Sequence, residues 1–451
     1  MSVNGLRGVS RVDRLPGGPG NRCPSTHLVF QPLIVRDVLP NGLRLLTEQM
    51  PHVRSVSIGV WLARGSRHES LEQSGIAHFC EHMLFKGTAT RSAEDIAQTI
   101  DSIGGQMDAF TAKEYASYYI KVLDEHLPLA LEVLSDIVMR PAFAASDVER
   151  EKKVVLEEIK MVEDTPDDLV HELFTESFWA GHPLGRPILG TPETVEALTA
   201  DGLRRYFTNT YSAPNLIVAA VGNIEHARVR ELVERAFEGV PQASVPAIET
   251  PPEVIPAIIV RHKELEQSHV VLGAGGYRQD HADRYASYVF NTILGGSMSS
   301  RLFQNVREKR GLAYAVFSGL SAYRDTGSMT VYAGCANAAV GELIDVVVAE
   351  IRRMKDEILP ESELRRSKDH LKGSLMLNLE STSSRMSHLA RQEIYFDHQF
   401  GLDETLEGVE KVTREDVQRV ARDLFGNGAL AATVLGAVHD LQISRERLLL
   451  G

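Results

Sequence analysis

The sequence predicts two similar domains, each of which contains both strands and helices. First, a chain of 451 residues is too long for one hydrophobic core and requires two or more domains. Second, both halves combine short alternating or β-branched segments, typical of strands, with longer amphipathic segments, typical of helices. Third, residues 240–256 contain five prolines and little periodicity, which predicts a linker. We therefore place the two domains at residues 27–239 and 257–451.

The first half begins with predicted strands. Apolar residues alternate loosely over 28–46 around an Asn-Gly dipeptide, which predicts a hairpin, and residues 53–63 are rich in Val, as in a strand. Ser92, followed three residues later by Asp95, is a candidate N-cap for a helix. Residues 106–123 include the alternation of a strand, and at a sheet edge its free backbone groups can hold an extended peptide. The alternative is an ordinary edge strand whose outer side only meets water.

Helices dominate the rest of the first half. Residues 127–138 have amphipathic spacing, and Ser146 is a candidate N-cap for a long helix. Helices separated by a loop are predicted over residues 172–211. Residues 215–223 are mostly apolar, as expected of a buried strand, and a helix that runs to Phe237 closes the half.

The most informative stretch is SGIAHFCEHMLFKGT, residues 74–88. On a helix, His78 and His82 lie one turn apart on one face, where two imidazole nitrogens can bind one metal ion. Glu81 stays on roughly the same side and can take a proton from water at the metal without being a ligand itself. This His-x-x-Glu-His order (HxxEH) is the inverted form of a metallopeptidase motif. The alternative is a chance match that contains two buried histidines.

Zinc needs a third protein ligand, and the long helix from Ser146 offers several carboxylates. Glu151 and Glu158 are seven residues apart and therefore share one helix face. We predict that a carboxylate on this face completes the metal site and that a neighbour on the same face supports it. The alternative is a solvated, charged helix face, which is the usual meaning of such a run.

The second half repeats the order of elements seen in the first. Strands are predicted over residues 269–275 and 316–335, with a helix between them over 285–294. A helix over residues 340–355 then precedes a long helix from Ser362.

Two local matches between the halves indicate an internal repeat. Residues 146–159 align with 362–375, and residues 82–85 align with 300–303, both about 217 residues apart. In this alignment four candidate site residues meet serines, in the pairs Glu81 with Ser299, His82 with Ser300, Glu151 with Ser367, and Glu158 with Ser374. We therefore predict that the second domain keeps the scaffold and lacks metal ligands.

Composition limits the classes of partner. The chain is 43% hydrophobic and 24% charged with a net charge of −13, which argues against nucleic acid or an anionic membrane as its main partner. No apolar run reaches the roughly 18 residues of a membrane span. The three cysteines, Cys23, Cys80 and Cys335, are too few for a disulfide framework and indicate a reducing compartment.

The first 26 residues contain four arginines, one acid, and several glycines and prolines. They lack the apolar core of a secretory signal. We predict a disordered leader, residues 1–26, on a cytoplasmic protein. The alternative is an organellar transit peptide, which would place the protein in the mitochondrial matrix.

These motifs resemble those of the pitrilysin family of zinc peptidases, most closely the beta subunits of mitochondrial processing peptidase and their bacterial relatives. The resemblance covers nearly the whole chain after the leader. HFCEHMLFKGT matches the family's zinc helix, and VREKRGLAY, residues 306–314, looks like its second-half signature. The resemblance implies an α+β fold of two homologous domains, each a mostly antiparallel sheet with helices packed on one face.

The resemblance also implies a zinc-dependent endopeptidase that cleaves unstructured or extended peptides and holds one Zn²⁺ per chain. By resemblance, Ala109, Phe110 and Thr111 form the strand that pairs with the substrate. The other site residues implied are the zinc ligands His78, His82 and Glu158, the supporting acid Glu151, the general base Glu81, and Arg307 and Tyr314, which reach across to the scissile peptide and help hold its carbonyl.

Chains of this length are half the size of the single-chain clamshells in the family, which implies a homodimer that encloses a chamber. One alternative is a catalytically silent scaffold, and another is an obligate heteromer that needs a separate partner chain. The complete HxxEH motif argues against the scaffold. Arg307 and Tyr314 occur in the same chain as that motif, which favours self-sufficiency.

The sequence departs from the family at one position of the substrate strand. Members usually show Asn-Ala-x-Thr there, and this chain has Asp108 in place of the Asn. An ionised Asp cannot donate a hydrogen bond as an amide can. We therefore expect one side-chain contact with the substrate to differ and the preference to shift toward basic residues.

Overall fold

A computed structural model describes residues 34–243, 250–426, 428–439 and 441–450. The predicted leader, residues 1–26, lies outside the described residues, as does the beginning of the predicted hairpin. The described chain forms two β-sheets, one of six strands and one of five. The first sheet ends in sequence at Gly222 and the second begins at Ile258, so the predicted linker falls between them.

The first sheet is mostly antiparallel. Its spatial order is β1-β2-β6-β3-β5-β4, and only the β2–β6 pair is parallel. The predicted hairpin and the predicted strands of the first half are all present. Its strands are β1 (Ile34–Val38), β2 (Arg44–Gln49), β3 (Ser55–Leu62), β4 (Gln106–Thr111), β5 (Ala116–Leu123) and β6 (Leu216–Gly222).

The second sheet repeats the arrangement of the first without a counterpart of β1. Its order is β7-β11-β8-β10-β9, and only the β7–β11 pair is parallel. The predicted α+β fold of two similar, mostly antiparallel units is therefore confirmed. The strands are β7 (Ile258–His262), β8 (Gln267–Gly276), β9 (Ala313–Ala322), β10 (Gly327–Ala336) and β11 (Ala431–Gly436).

The helices predicted in both halves are present, whereas no prediction covered the three helices that the structure describes after residue 378. Those of the first half are α1 (Ile76–Leu84), α2 (Ala93–Asp101), α3 (Leu127–Met139), α4 (Ala145–Asp164), α5 (Pro166–Phe178), α6 (Pro192–Ala197), α7 (Ala200–Thr210) and α8 (His226–Ala236). Those of the second half are α9 (Arg284–Leu294), α10 (Val340–Asp356), α11 (Glu361–Asn378), α12 (Thr382–Phe396), α13 (Leu402–Glu410) and α14 (Arg414–Phe425). No helix in the described part of the chain combines the length and apolar composition needed to cross a membrane.

Each sheet packs most helices of its own half on one face, which confirms that part of the prediction. The other face is covered by a single helix from the opposite half. Helix α12 packs on β2, β3 and β6 of the first sheet, and α5 packs on β8 and β11 of the second. The halves are therefore interlocked by an exchange of equivalent helices, and the described residues group into one compact unit.

Two glycines make this exchange possible. Gly59 on β3 lies beneath Met386 of α12, and a Cβ there would come within 3.0 Å of the Met386 sulfur. Gly273 on β8 lies beneath Phe174 of α5, and a Cβ there would come within 2.5 Å of that ring. Because β3 and β8 occupy equivalent places in the two sheets, the same device recurs in both halves.

Three details of the sequence predictions are corrected. The stretch 106–123 is a hairpin of two strands, β4 and β5, rather than one strand. Helix α4 begins at Ala145 after the cap residue Ala144, so Ser146 lies inside its first turn and does not cap it. By element order the counterpart of α1 is α9, so Ser299 and Ser300 lie beyond that helix and do not correspond to Glu81 and His82.

The last correction has a simple cause, because the lengths of the connecting segments differ between the halves: α9 begins 208 residues after α1, whereas α11 begins 216 residues after α4. The alignment of α4 with α11 stands, since Ser367 and Ser374 lie as far from the start of α11 as Glu151 and Glu158 lie from the start of α4. Helix α9, RYASYVFNTIL, contains no His, Cys, Asp or Glu.

Candidate metal site

The N-terminus of α1 is fixed by a buried carboxylate. Glu69 accepts hydrogen bonds from the backbone N–H groups of Gly75 and Ala77, each at 2.8 Å. Gly75 has φ of +93°, and a Cβ there would lie 2.6 Å from the carbonyl oxygen of Leu189, so glycine is required. Burial raises the pKa of Glu69 to about 7 despite the two backbone hydrogen bonds. The orientation of the whole motif therefore depends on this cap.

Three predicted ligands lie together. His78 and His82 project from one face of α1, with ring centroids 4.6 Å apart. Oε2 of Glu158, from α4, lies 3.8 Å from Nε2 of His78 and 3.6 Å from Nε2 of His82. One donor atom from each residue falls within 4.8 Å of the other two.

The donor set fits a zinc ion. Bonds of about 2.0–2.1 Å in tetrahedral geometry place ligand atoms roughly 3.4 Å apart, close to the separations observed. Oε2 of Glu158 is buried without a hydrogen bond from any described residue, so it has a free lone pair for a metal. Burial, with a smaller contribution from His82, lowers the pKa of His78 to about 4, which keeps its ring in the neutral form that metals require.

Glu151 orients the second histidine. Its Oε1 lies 2.7 Å from Nδ1 of His82, and its Oε2 lies 2.8 Å from Nζ of Lys86. Burial raises the pKa of Glu151, but the hydrogen bonds to His82 and Lys86 outweigh it, so the pKa is lowered overall and the group stays ionised. Because a carboxylate only accepts, Nδ1 of His82 carries the proton, which leaves Nε2 as the nitrogen available to a metal.

Glu81 lies near the candidate ligands, is not one of the three grouped donors, and reaches the first sheet. Its carboxylate accepts a hydrogen bond from the hydroxyl of Thr111 on β4. Burial raises the pKa of Glu81, while the hydrogen bond from Thr111 opposes that shift. The residue is therefore held beside the histidines as a carboxylate that is free to exchange a proton.

The predicted substrate strand is an edge strand beside α1. Strand β4 is outermost in its sheet, and the N–H of Ala112 donates to the carbonyl of Tyr115 across the hairpin. Since antiparallel pairs alternate, the backbone groups of Ala109 and Thr111 face the free edge. Phe110 lies on the opposite face from Thr111, with its ring centroid 5.6 Å from that of Trp61.

Arg307 and Tyr314 form a separate unit in the second half. The guanidinium of Arg307 lies 4.5 Å from the ring centroid of Tyr314 and 4.8 Å from that of Phe303. Tyr314 is 76% exposed and belongs to β9, the edge strand of the second sheet. Within the ranges the structure describes, no hydrogen bond or ion pair joins either residue to His78, His82 or Glu158. Their action on a substrate therefore stays a prediction.

Two supporting residues were missed in the sequence. Glu69 lies in GSRHE, six residues before Gly75, and an acid shortly before a helix is a recognisable capping signal. Lys86 lies in the turn just after α1, and its Nζ reaches Oε2 of Glu151 at 2.8 Å. Neither residue is a candidate ligand, so a search of the sequence for metal ligands passes over both.

Fold and site together define a class of protein: two α+β units in one chain, with an HxxEH helix and a distant carboxylate in the first unit only. The chain belongs to peptidase family M16. Residues 44–192 match the family described as Insulinase (Peptidase family M16), and residues 197–371 match the Peptidase M16 inactive domain.

Relatives and solved structures agree with this placement. The chain is 44% identical over 393 residues to the uncharacterized zinc protease YmxG of Bacillus subtilis, covering 87% of this chain and 96% of the relative. It is 42% identical over 418 residues to an uncharacterized zinc protease of Streptomyces coelicolor, covering 91% of each.

A protease from Helicobacter pylori superposes with a TM-score of 0.83 at 25% identity, covering 90% of this chain and 99% of that one. A peptidase M16 inactive domain from Pseudomonas fluorescens has the same fold, with a TM-score of 0.85 at 21% identity over 91% of this chain and all of its own.

Proposed function

We propose that the protein is a zinc-dependent endopeptidase that hydrolyses unstructured or extended peptides. The observation that carries the proposal is the buried, unpartnered Oε2 of Glu158 opposite two imidazole nitrogens. Similar proteins from two organisms are named zinc proteases, which supports the same assignment. The complete donor set argues against a silent scaffold.

In this proposal His78, His82 and Glu158 hold one Zn²⁺ per chain. Bound there, the ion supplies Lewis acidity, which polarises a peptide carbonyl and acidifies a water molecule. Glu151 fixes the ring of His82, so that its Nε2 stays directed at the ion.

Glu81 acts as the general base. Its carboxylate takes a proton from the attacking water and passes it to the nitrogen of the leaving amine. The hydroxyl of Thr111 donates a hydrogen bond to Oε2 of Glu81 and so fixes the orientation of the carboxylate. The other carboxylate oxygen is left to accept the proton. Burial raises the pKa of Glu81, and a raised pKa allows the carboxylate both to accept and to release that proton.

The substrate lies along β4 as an added strand. Ala109 and Thr111 offer their outward-facing backbone groups to it, and the strand holds the scissile bond beside Glu81. Arg307 and Tyr314 donate hydrogen bonds to the oxyanion that develops on the carbonyl. Because Tyr314 is 76% exposed, a bound peptide or a second copy of the chain can reach it.

We also propose that two copies form a homodimer that encloses the substrate in a chamber. Helix α4, which carries Glu158, also carries the exposed apolar side chains of Val154 and Met161, and Met161 is 69% exposed. A mixture of Glu81→Gln and Tyr314→Phe chains tests the arrangement. Recovery of activity on mixing means that the oxyanion donors come from the partner copy, and no recovery means that each chain is complete.

The decisive experiment uses Glu81→Gln. We expect this variant to keep its zinc and to lose about 100-fold or more of its activity, since general-base catalysis contributes about 10²–10⁴. Zinc content and cleavage of an unstructured fluorogenic peptide are measured in parallel, with the exposed Glu94→Gln as the control. A Glu81→Gln protein that cleaves at the parent rate would overturn the general-base role. A parent protein that holds zinc but is inert alone would support the obligate heteromer.

A further inference from the structure

The free edge of β4 is already occupied at one position. The backbone N–H of Ala109, which faces away from β5, donates to Oδ1 of Asp108 at 2.8 Å. Oδ2 of the same carboxylate accepts a hydrogen bond from the hydroxyl of Tyr119 at 3.1 Å. The carboxylate thus lies over the strand edge, and each of its two oxygens accepts one hydrogen bond there.

Tyr119 is the direct neighbour of Asp108 across the hairpin, since the register of β4 and β5 pairs these two residues. Its hydroxyl therefore reaches the carboxylate from the paired strand and not from the free edge. Neither of the two contacts supplies a positive charge. Asp108 is exposed, so its negative charge faces the space that an added peptide strand would enter.

An incoming peptide strand needs the N–H of Ala109 as a donor for one of its carbonyl oxygens. A carboxylate is a stronger acceptor than a neutral carbonyl, because charge-assisted hydrogen bonds are roughly twice as strong as neutral ones. Strand addition therefore exchanges a strong acceptor for a weaker one at this position. The exchange becomes easier when the peptide brings a group that pairs with the released carboxylate.

We infer that Asp108 determines specificity by closing the edge of β4: its carboxylate must leave the N–H of Ala109 before a peptide adds, so peptides with a Lys or Arg side chain near this position are preferred over neutral ones. The inference rests on the proposed function, since it concerns the binding of the substrate that Glu81 hydrolyses. Acidic peptides are disfavoured by the same charge.

Two kinds of substitution separate the effect of the hydrogen bond between Ala109 and Asp108, which closes the strand edge, from the effect of the charge of Asp108. Asp108→Ala removes both, whereas Tyr119→Phe removes the hydroxyl that holds the carboxylate and keeps its charge. Asp108→Asn keeps an acceptor oxygen for the N–H of Ala109 and removes only the charge, so it tests the preference for Lys if the alanine variant folds poorly. Asp101→Ala is the matched control, because Asp101 is an exposed acid at the end of α2, outside the strand edge.

Binding is measured by fluorescence anisotropy in zinc-loaded protein that carries Glu81→Gln, so that the peptide is not consumed. Two labelled unstructured peptides are used, one of Ser, Gln and Ala only, and a twin with one Lys. We expect the background protein to prefer the Lys twin by up to about fivefold, the upper end for an exposed ion pair. Asp108→Ala should bind the neutral peptide about threefold more tightly and lose the preference. Tyr119→Phe should also bind the neutral peptide more tightly but keep the preference, and Asp101→Ala should change neither.

Equal affinity of the background protein for both peptides, or no tightening in Asp108→Ala, overturns the inference. So does the absence of peptide binding by every variant, because no strand is then added. Hydrolysis by protein with intact Glu81 is measured separately. If the parent cleaves peptides and Asp108 has no effect on binding, the inference fails and the proposed function stands. If the parent binds peptides with the expected preference but never cleaves them, the proposed hydrolysis fails and the role of Asp108 stands.

Discussion

Oε1 of Glu151 lies 2.7 Å from Nδ1 of His82, on the side of the ring opposite the candidate metal position. The same helix, α4, also carries Glu158 seven residues later. One helix therefore supplies both a candidate ligand and the group that orients another ligand. A shift of α4 relative to α1 would disturb both contacts together.

The first prediction concerns Glu151. Replacing it by Gln removes the negative charge that holds His82 and Lys86, so zinc affinity should fall by about 10- to 100-fold. Competition with a fluorescent zinc chelator measures the change. Glu149→Gln, an exposed acid on the same helix, should bind zinc as the parent does. Unchanged affinity in the Glu151 variant would mean that the ring is positioned by packing alone.

The second prediction separates two adjacent acids. Glu157 is exposed and pairs with Lys160, whereas Glu158 faces the histidines. Glu158→Gln should lose zinc affinity by more than the roughly 100-fold typical of an outer partner, because it removes a direct ligand. Glu157→Gln should lose little. Equal losses in zinc titrations of the two variants would show that the wrong residue of the pair has been identified.

The third prediction concerns the hydroxyl that holds the general base. Thr111→Val removes the hydrogen bond to Glu81, and kcat/KM should fall about tenfold, since a hydrogen bond to a charged group contributes about 1.5 kcal/mol or more. That hydrogen bond lowers the pKa of Glu81, so its loss should move the acidic limb of the pH–rate profile to higher pH. Thr111→Ser keeps the hydroxyl and should resemble the parent. A Val variant with an unmoved acidic limb would contradict the contact.

The fourth prediction follows from the buried cap of α1. The pKa of Glu69 is raised from 4.5 to about 7 by burial, so between these values the folded state holds a proton that the unfolded state has lost. The contribution of this group to the free energy of unfolding therefore decreases as pH rises from about 4.5 to about 7. The decrease is on the order of 3 kcal/mol, at about 1.4 kcal/mol per pKa unit.

Denaturant unfolding of the parent and of Glu69→Gln at several pH values tests this prediction. The stability of the parent relative to the variant should fall across the window, because Gln cannot titrate. Glu94→Gln, an exposed acid, should keep a constant difference from the parent. A constant difference for Glu69→Gln as well would mean that Glu69 is ionised throughout.

Much of the fold could be predicted because the relevant signals are local. Alternation and helical spacing identified the strands of the first sheet, the central and edge strands β8, β9 and β10 of the second, and the long helices α4, α10 and α11. Strands β7 and β11 and the helices after α11 were not predicted. His78 and His82 share a face because of their spacing alone. Spacing also placed Glu151 and Glu158 on one face of a helix, but only the resemblance to the family chose Glu158 as the ligand. The capping role given to Ser146 was wrong because a cap contributes only about 1 kcal/mol. The chain enters α4 through Phe143, which is buried against Phe207, and this packing sets the start of the helix.

Contacts between distant segments could not be predicted. The apolar residues of α12 indicate a buried face, but periodicity does not say which sheet that face covers. Met386 packs over Gly59 only because the two halves are wound together. The carboxylate of Asp108 also bends onto its own strand through a rotation about the side chain, which no spacing pattern records.

The exchange of α5 and α12 means that neither half is a complete folding unit. A fragment that ended in the linker would leave Trp61, Ile217 and their neighbours on the first sheet facing water, and α5 would have no sheet to cover. A half on its own could bury both faces of its sheet only by exchanging this helix with a second molecule. Because both halves belong to one polypeptide, the exchange is intramolecular, and the stability it provides does not depend on protein concentration.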